Sequence, residues 1–140
     1  MLINTAVKLL VVSWVMDAPG NIALFKRVLI VCIGNICRSP TAESLLRGAL
    51  ARSDIQVSSA GIAALVGKPI ETTARAVLQA HGHPADEHQA VQLAPQAISE
   101  ADLILVMERQ HISAVLGMAP EARGKVLLLG KWQNEREISD

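Results

Sequence analysis

Short runs of branched aliphatic residues alternate along this chain with longer stretches in which apolar positions recur every three or four residues. The runs at 28–31, 55–59, 102–107 and 126–129 are too short for stable helices and read as buried strands. From Pro40 the period becomes helical: Ala42, Leu45, Leu46, Ala49 and Leu50 form one stripe, with Arg47 and Arg52 away from it and Glu43 in the first turn, where it suits the helix dipole. Residues 71–81 repeat the pattern through inward-facing Ala74, Val77 and Leu78, and Gly82 with Pro84 ends it. A short helix follows at 95–101, and Ile112, Val115 and Leu116 mark one more, closed by residues 117–120. Strands alternating with helices predict an α/β domain: a doubly wound, four-stranded parallel sheet with helices on both faces and ligands at the strand C-termini.

The pattern begins near Phe25, so residues 1–24 stand outside it and residues 25–140 form the domain. Residues 6–16 are apolar but carry Lys8 and Ser13 and are too short to span a bilayer. Basic residues of the kind that open a signal peptide do not precede them. Residues 17–21 read as a break, and the segment reads best as an upstream extension, with a membrane tether the less favoured alternative.

The candidate chemistry sits where the first strand meets the first helix. Gly34 and Asn35 accept positive φ and allow a tight loop, while Ser39 and Pro40 read as N-cap and first helical residue. That geometry aims backbone N–H groups at one spot and makes an anion site. Cys32 stands at the strand end, and Arg38 follows after five intervening residues. A loop of Ile33, Gly34, Asn35, Ile36 and Cys37 can curl round one phosphate, with Cys32 beneath the phosphorus and the planar fork of Arg38 on two oxygens. Amides, dipole and guanidinium would all favour thiolate over thiol, and Ser39 adds a hydroxyl beside it.

Composition narrows the partner. The chain is 51% hydrophobic and its thirteen basic and thirteen acidic residues cancel, so it is globular and has no basic stripe for nucleic acid. Tyrosine is absent and Phe25 is the one phenylalanine, so aliphatics build the core. Two cysteines, both in the loop, make neither a disulfide framework nor a zinc site, and a reduced, cytoplasmic setting is expected. A reversible Cys32–Cys37 bond and a plain packing role for Cys37 stand level. His81, His83 and His88 lack metal-ligand spacing and read as solvated turn residues. No metal and no cofactor is expected.

The segment running from Cys32 through Arg38, Ser39 and Pro40 to Glu43 resembles the phosphate loop of the low-molecular-weight protein tyrosine phosphatases. Residues 58–61, 102–108 and 124–130 are similar to further segments of that family, and the likeness is nearest to its bacterial branch associated with capsule and exopolysaccharide tyrosine kinases. The resemblance implies phosphotyrosine hydrolysis through a cysteinyl-phosphate, with an autophosphorylated bacterial tyrosine kinase as partner. It implies that Ser59 supports the loop through Asn35, that Leu65 walls the substrate ring, and that Asp140 occupies the place of the general acid. In the family a Pro and a final helix follow that Asp; none stands here, so a missing C-terminal helix, partly bare Leu127 and Leu129, self-association and impaired turnover are all expected. The alternatives are a phosphotyrosine-binding module that turns over poorly, a phosphoarginine phosphatase, disfavoured by Ile36 where those relatives carry Thr, and an arsenate reductase, disfavoured because no cysteine exists beyond Cys37.

Overall fold

A computed structural model of the chain describes residues 25–50, 54–85 and 87–140. The predicted positions of the extension at 1–24 and of Arg52 lie outside the described residues. The elements run in order β1 (Arg27–Cys32), α1 (Arg38–Ala49), β2 (Gln56–Gly61), α2 (Thr72–Ala80), α3 (Pro95–Glu100), β3 (Leu103–Val106), α4 (Arg109–Met118), a 3-10 turn (Pro120–Ala122) and β4 (Val126–Leu128). All strand pairs are parallel and the sheet order is β2-β1-β3-β4.

Pleating sends successive side chains of each strand to opposite faces, and both faces are covered. Val28, Ile30, Leu103 and Leu105 pack with Ala42, Leu46 and Leu50 on the α1 side. Leu29, Val31, Ile104 and Val106 pack with Ile98 and Val115 of α3 and α4 on the other. Each such fully buried aliphatic contributes about 1.5–3 kcal/mol, which is why β1 and β3 carry unbroken apolar runs. Asp102 stands at the foot of β3 rather than within it; its carboxylate accepts the N–H groups of Lys26 (2.8 Å) and Arg27 (2.9 Å) and fixes β1 against β3.

From β1 the chain crosses to β2 on one side, then returns past β1 to β3 on the other. The crevice between the C-terminal ends of β1 and β3 is therefore a topological switch point, where open α/β sheets bind ligands. Cys32 ends β1, and Glu108 lies just beyond β3.

Several local expectations change. The helix α1 begins at Arg38, with Cys37 as N-cap and no side-chain cap, so Ser39 is inside the first turn and its hydroxyl is spent elsewhere. Glu43 is past that turn and reaches sideways to Arg47 (2.9 Å) and Ser59 (2.5 Å). The φ of Asn35 is +58°, whereas Gly34 does not take the left-handed region. In α2 only a narrow stripe is covered: Ala74 and Leu78, four residues apart, are buried, and Val77 faces outward. Glu71 caps α2 by accepting the N–H groups of Thr73 and Ala74. Leu129 is buried rather than bare, packed in the α1-side core near Trp132 and Ile138, and Leu127 is half-buried.

Candidate active site

Residues 33–37 turn sharply over the end of β1, and Asn35 is the pivot. Its backbone N–H points inward to Cys32 Sγ (3.3 Å). Its side-chain amide is fully used: Nδ2 donates to Ser39 Oγ (2.7 Å) and Ser59 Oγ (2.9 Å), and Oδ1 accepts from Val91 N–H (2.8 Å). Asparagine suits the post because it tolerates positive φ and offers donors and an acceptor at once. His88 Nε2 meets the Asn35 carbonyl oxygen at 2.7 Å. His88 is thus a brace of the loop and not a solvated turn residue; a contact fifty-three residues away in sequence leaves no local signal. Ser59 in turn donates to Glu43, which completes a chain of side chains from α1 through β2 to the loop. Gly61 ends β2 so close to the loop that a Cβ there would collide with the Ile33 carbonyl oxygen.

Cys32 is buried and its Sγ lies 2.9 Å from Ser39 Oγ. Since that oxygen accepts from Asn35 Nδ2, the hydroxyl proton is free to point at sulfur. Among the described residues, no group of the protein accepts the backbone N–H groups of Gly34, Ile36 and Cys37. Together with the first-turn amides of α1 they form a concave set of donors with no internal partner, the backbone signature of an anion cradle.

Arg38 is 2% exposed, and a buried guanidinium must be paired. Its Nη1 donates to Glu108 Oε2 (2.7 Å) and to the Ile138 carbonyl oxygen (2.9 Å), and Asp140 Oδ1 lies 3.6 Å from Nε. The hydrogen bond from Arg38 holds the Glu108 carboxyl below its ordinary range. Nη1 is thus committed to Glu108 and Ile138, whereas the other fork, Nε and Nη2, faces only the exposed Asp140 carboxylate and is the part an anion can engage. Asp140 is 78% exposed at the rim, beside Arg38. Leu65 is half exposed, donates its backbone N–H to the Gly34 carbonyl oxygen (3.0 Å), and with exposed Ile33 and Val66 makes an apolar edge to the mouth. Ile36 is half-buried and its carbonyl oxygen accepts the Glu71 N–H (2.7 Å).

Cys37 is half-buried against the Ile70, Ala74, Leu78 and Ala85 cluster. Burial first, then the charges of Glu71 and Asp140, push its thiol up. Both cysteines are free thiols. Among the described residues no group of three or more His, Cys, Asp or Glu is placed to hold a metal, and no helix is long and apolar enough to cross a membrane.

The structure thus brings Cys32, Arg38, Ser39, Ser59 and Asp140 to one crevice with the five loop residues between. Glu108, which anchors Arg38 from beyond β3, carries no assignment from the sequence alone, although a carboxylate at the end of the strand facing the loop was the available signal.

Residues 27–140 match the family model of the low molecular weight phosphotyrosine protein phosphatases. The protein-tyrosine-phosphatase Wzb of Salmonella typhimurium is 48% identical over 117 residues, spanning 84% of this chain and 77% of its own. The crystal structure of the Erwinia amylovora tyrosine phosphatase AmsI superposes with a TM-score of 0.79 at 46% identity, over 83% of this chain and 76% of that one. Vibrio vulnificus Wzb, solved in complex with benzylphosphonate, gives 0.79 at 44% identity, over 83% and 81%. The chain belongs to the low-molecular-weight protein tyrosine phosphatase family, in its bacterial, capsule-associated branch.

Proposed function

We propose that this protein hydrolyses phosphotyrosine in a protein through a cysteinyl-phosphate. The observation that carries the reading is the cradle: Cys32 Sγ beneath the inward N–H of Asn35, with Arg38 anchored beside it and its Nε and Nη2 uncommitted to any backbone or Glu108 contact. Cys32 thiolate attacks phosphorus in line; the S–P bond forms as the P–O bond to the tyrosyl group breaks. Arg38 and the loop amides of residues 33–39 stabilise the charge on the equatorial oxygens, so the residues present supply the positive charge the step needs. Asp140 protonates the leaving tyrosyl oxygen, then takes a proton from the water that cleaves the S–P bond and releases inorganic phosphate. Ser39 donates to sulfur as it is expelled.

Leu65 takes the face of the substrate ring. The partner is an autophosphorylated bacterial tyrosine kinase, and the reaction belongs in the cytoplasm, where Cys32 stays reduced. The domain reading, an extension at 1–24 before a catalytic unit from 25, goes with this function.

Replacing the nucleophile tests the mechanism. Cys32→Ser is expected to abolish p-nitrophenyl phosphate turnover and its pre-steady-state burst while still binding inorganic phosphate or vanadate. Undiminished turnover in that variant would overturn the mechanism, and a wild-type chain that binds phosphate with no burst would be a binding module instead.

A further inference from the structure

Beyond β3, His111 is 2% exposed at the third position of α4. Its Nδ1 accepts the backbone N–H of Glu108 (3.2 Å), so the neutral ring carries its proton on Nε2. That Nε2 is buried without a hydrogen-bond partner and lies 3.4 Å from Glu108 Oε2, the same oxygen that receives Arg38 Nη1. A buried donor with no partner is costly, and a carboxylate oxygen stands within 3.4 Å of this one. Burial holds the ring neutral, with Glu108, Arg38 and Glu137 as the charges around it. This buried side chain therefore stands against Glu108, the group that anchors the guanidinium.

We propose that His111 is a positioning residue for Arg38: one imidazole caps α4 and presents an N–H to Glu108 Oε2, so that Glu108 has one orientation and Arg38 Nε and Nη2 are held toward the phosphate loop. The inference rests on the phosphatase reading of that loop. A carboxylate free to rotate at the start of α4 pairs equally well with a guanidinium swung out of the cradle. A carboxylate fixed through both its backbone N–H and Oε2 does not. When phosphate arrives, Arg38 then adds two bonds without first having to be ordered.

The test is a mutant cycle read by inorganic phosphate binding, which needs the cradle but no chemistry, and by kcat/KM for p-nitrophenyl phosphate. His111→Leu is expected to weaken phosphate binding and to lower kcat/KM about tenfold, the order of a hydrogen bond to a charged group. His111→Gln is expected to restore most of both, because its amide offers an acceptor to the Glu108 N–H and a donor beside Oε2. In a Glu108→Gln background, adding His111→Leu is expected to cost little more, since the carboxylate through which His111 acts is gone. If His111→Leu does not fold, His111→Glu replaces it: its carboxylate still caps the helix but gives Oε2 no donor. Equal losses with and without Glu108, or a lower melting temperature with unchanged phosphate binding, would overturn the positioning role and leave the phosphatase reading intact. A wild-type chain that binds no phosphate would overturn both.

Discussion

The phosphate loop is held from two sides by different physics. On the β2 side the anchor is a buried amide: Asn35, 0% exposed, spends its side-chain amide on Ser39, Ser59 and Val91, and His88 meets its carbonyl oxygen. On the β3 side the anchor is ionic and opens toward solvent, from buried Arg38 through half-buried Glu108 to Asp140, 78% exposed. The contrast separates two tasks. A cradle must hold its shape with no ligand, and buried, fully satisfied hydrogen bonds do that because any rearrangement strands a polar group. Proton transfer to a departing group needs access to both substrate and water, which an exposed carboxylate at the rim has.

The contrast breaks most sharply at the rim. Asp140→Asn is expected to lower turnover of phenyl phosphate by about 10²–10⁴-fold while leaving phosphate binding near wild type. p-Nitrophenyl phosphate, whose leaving group needs little help, should lose far less; an equal loss on both substrates would remove Asp140 from the acid role. On the β2 side, Asn35→Ala leaves the Val91 N–H without its acceptor and puts alanine at φ +58°. It should cost about 2–4 kcal/mol of stability in a urea melt and impair every substrate alike.

Acid distinguishes the two sides without mutation. His111, through burial, and Glu108, through Arg38, both titrate below their ordinary values of 6.5 and 4.5 when folded. The unfolded chain then binds more protons across both windows, so stability rises with pH through them. Lowering the pH from 7 should remove stability first below 6.5 and again below 4.5, and Asn35→Ala should show the same dependence displaced downward. The smallest effect belongs to Leu65→Ala at the mouth. It should weaken binding of aryl phosphates by about fivefold, the order of about 1 kcal/mol of apolar contact, and leave inorganic phosphate unchanged. A uniform loss would mean that Leu65 shapes the loop rather than meeting the ring.

Much of this molecule was legible along the chain because its signals are local. The runs at 28–31 and 103–106 are apolar on both faces and can only be interior strands, and their alternation with helical stripes determines a parallel sheet with its site at the strand ends. The spacing from Cys32 to Arg38 is likewise a property of consecutive residues, and folding does not alter which loop can enclose an anion. What tertiary structure decided lies in contacts between residues distant in sequence. Ser39 reads as a cap, but its hydroxyl goes to Cys32 and Asn35 because β1 ends beside it. Val77 fits the helical period yet faces outward, since period says which residues share a face and not how wide a face the neighbours cover. His88 and Glu108 reach the loop and Arg38 across separations of fifty-three and seventy residues, closed when β2 and β3 take places on opposite sides of β1. A hydrogen bond is a relation between two positions in space, and only the strand order brings those positions together.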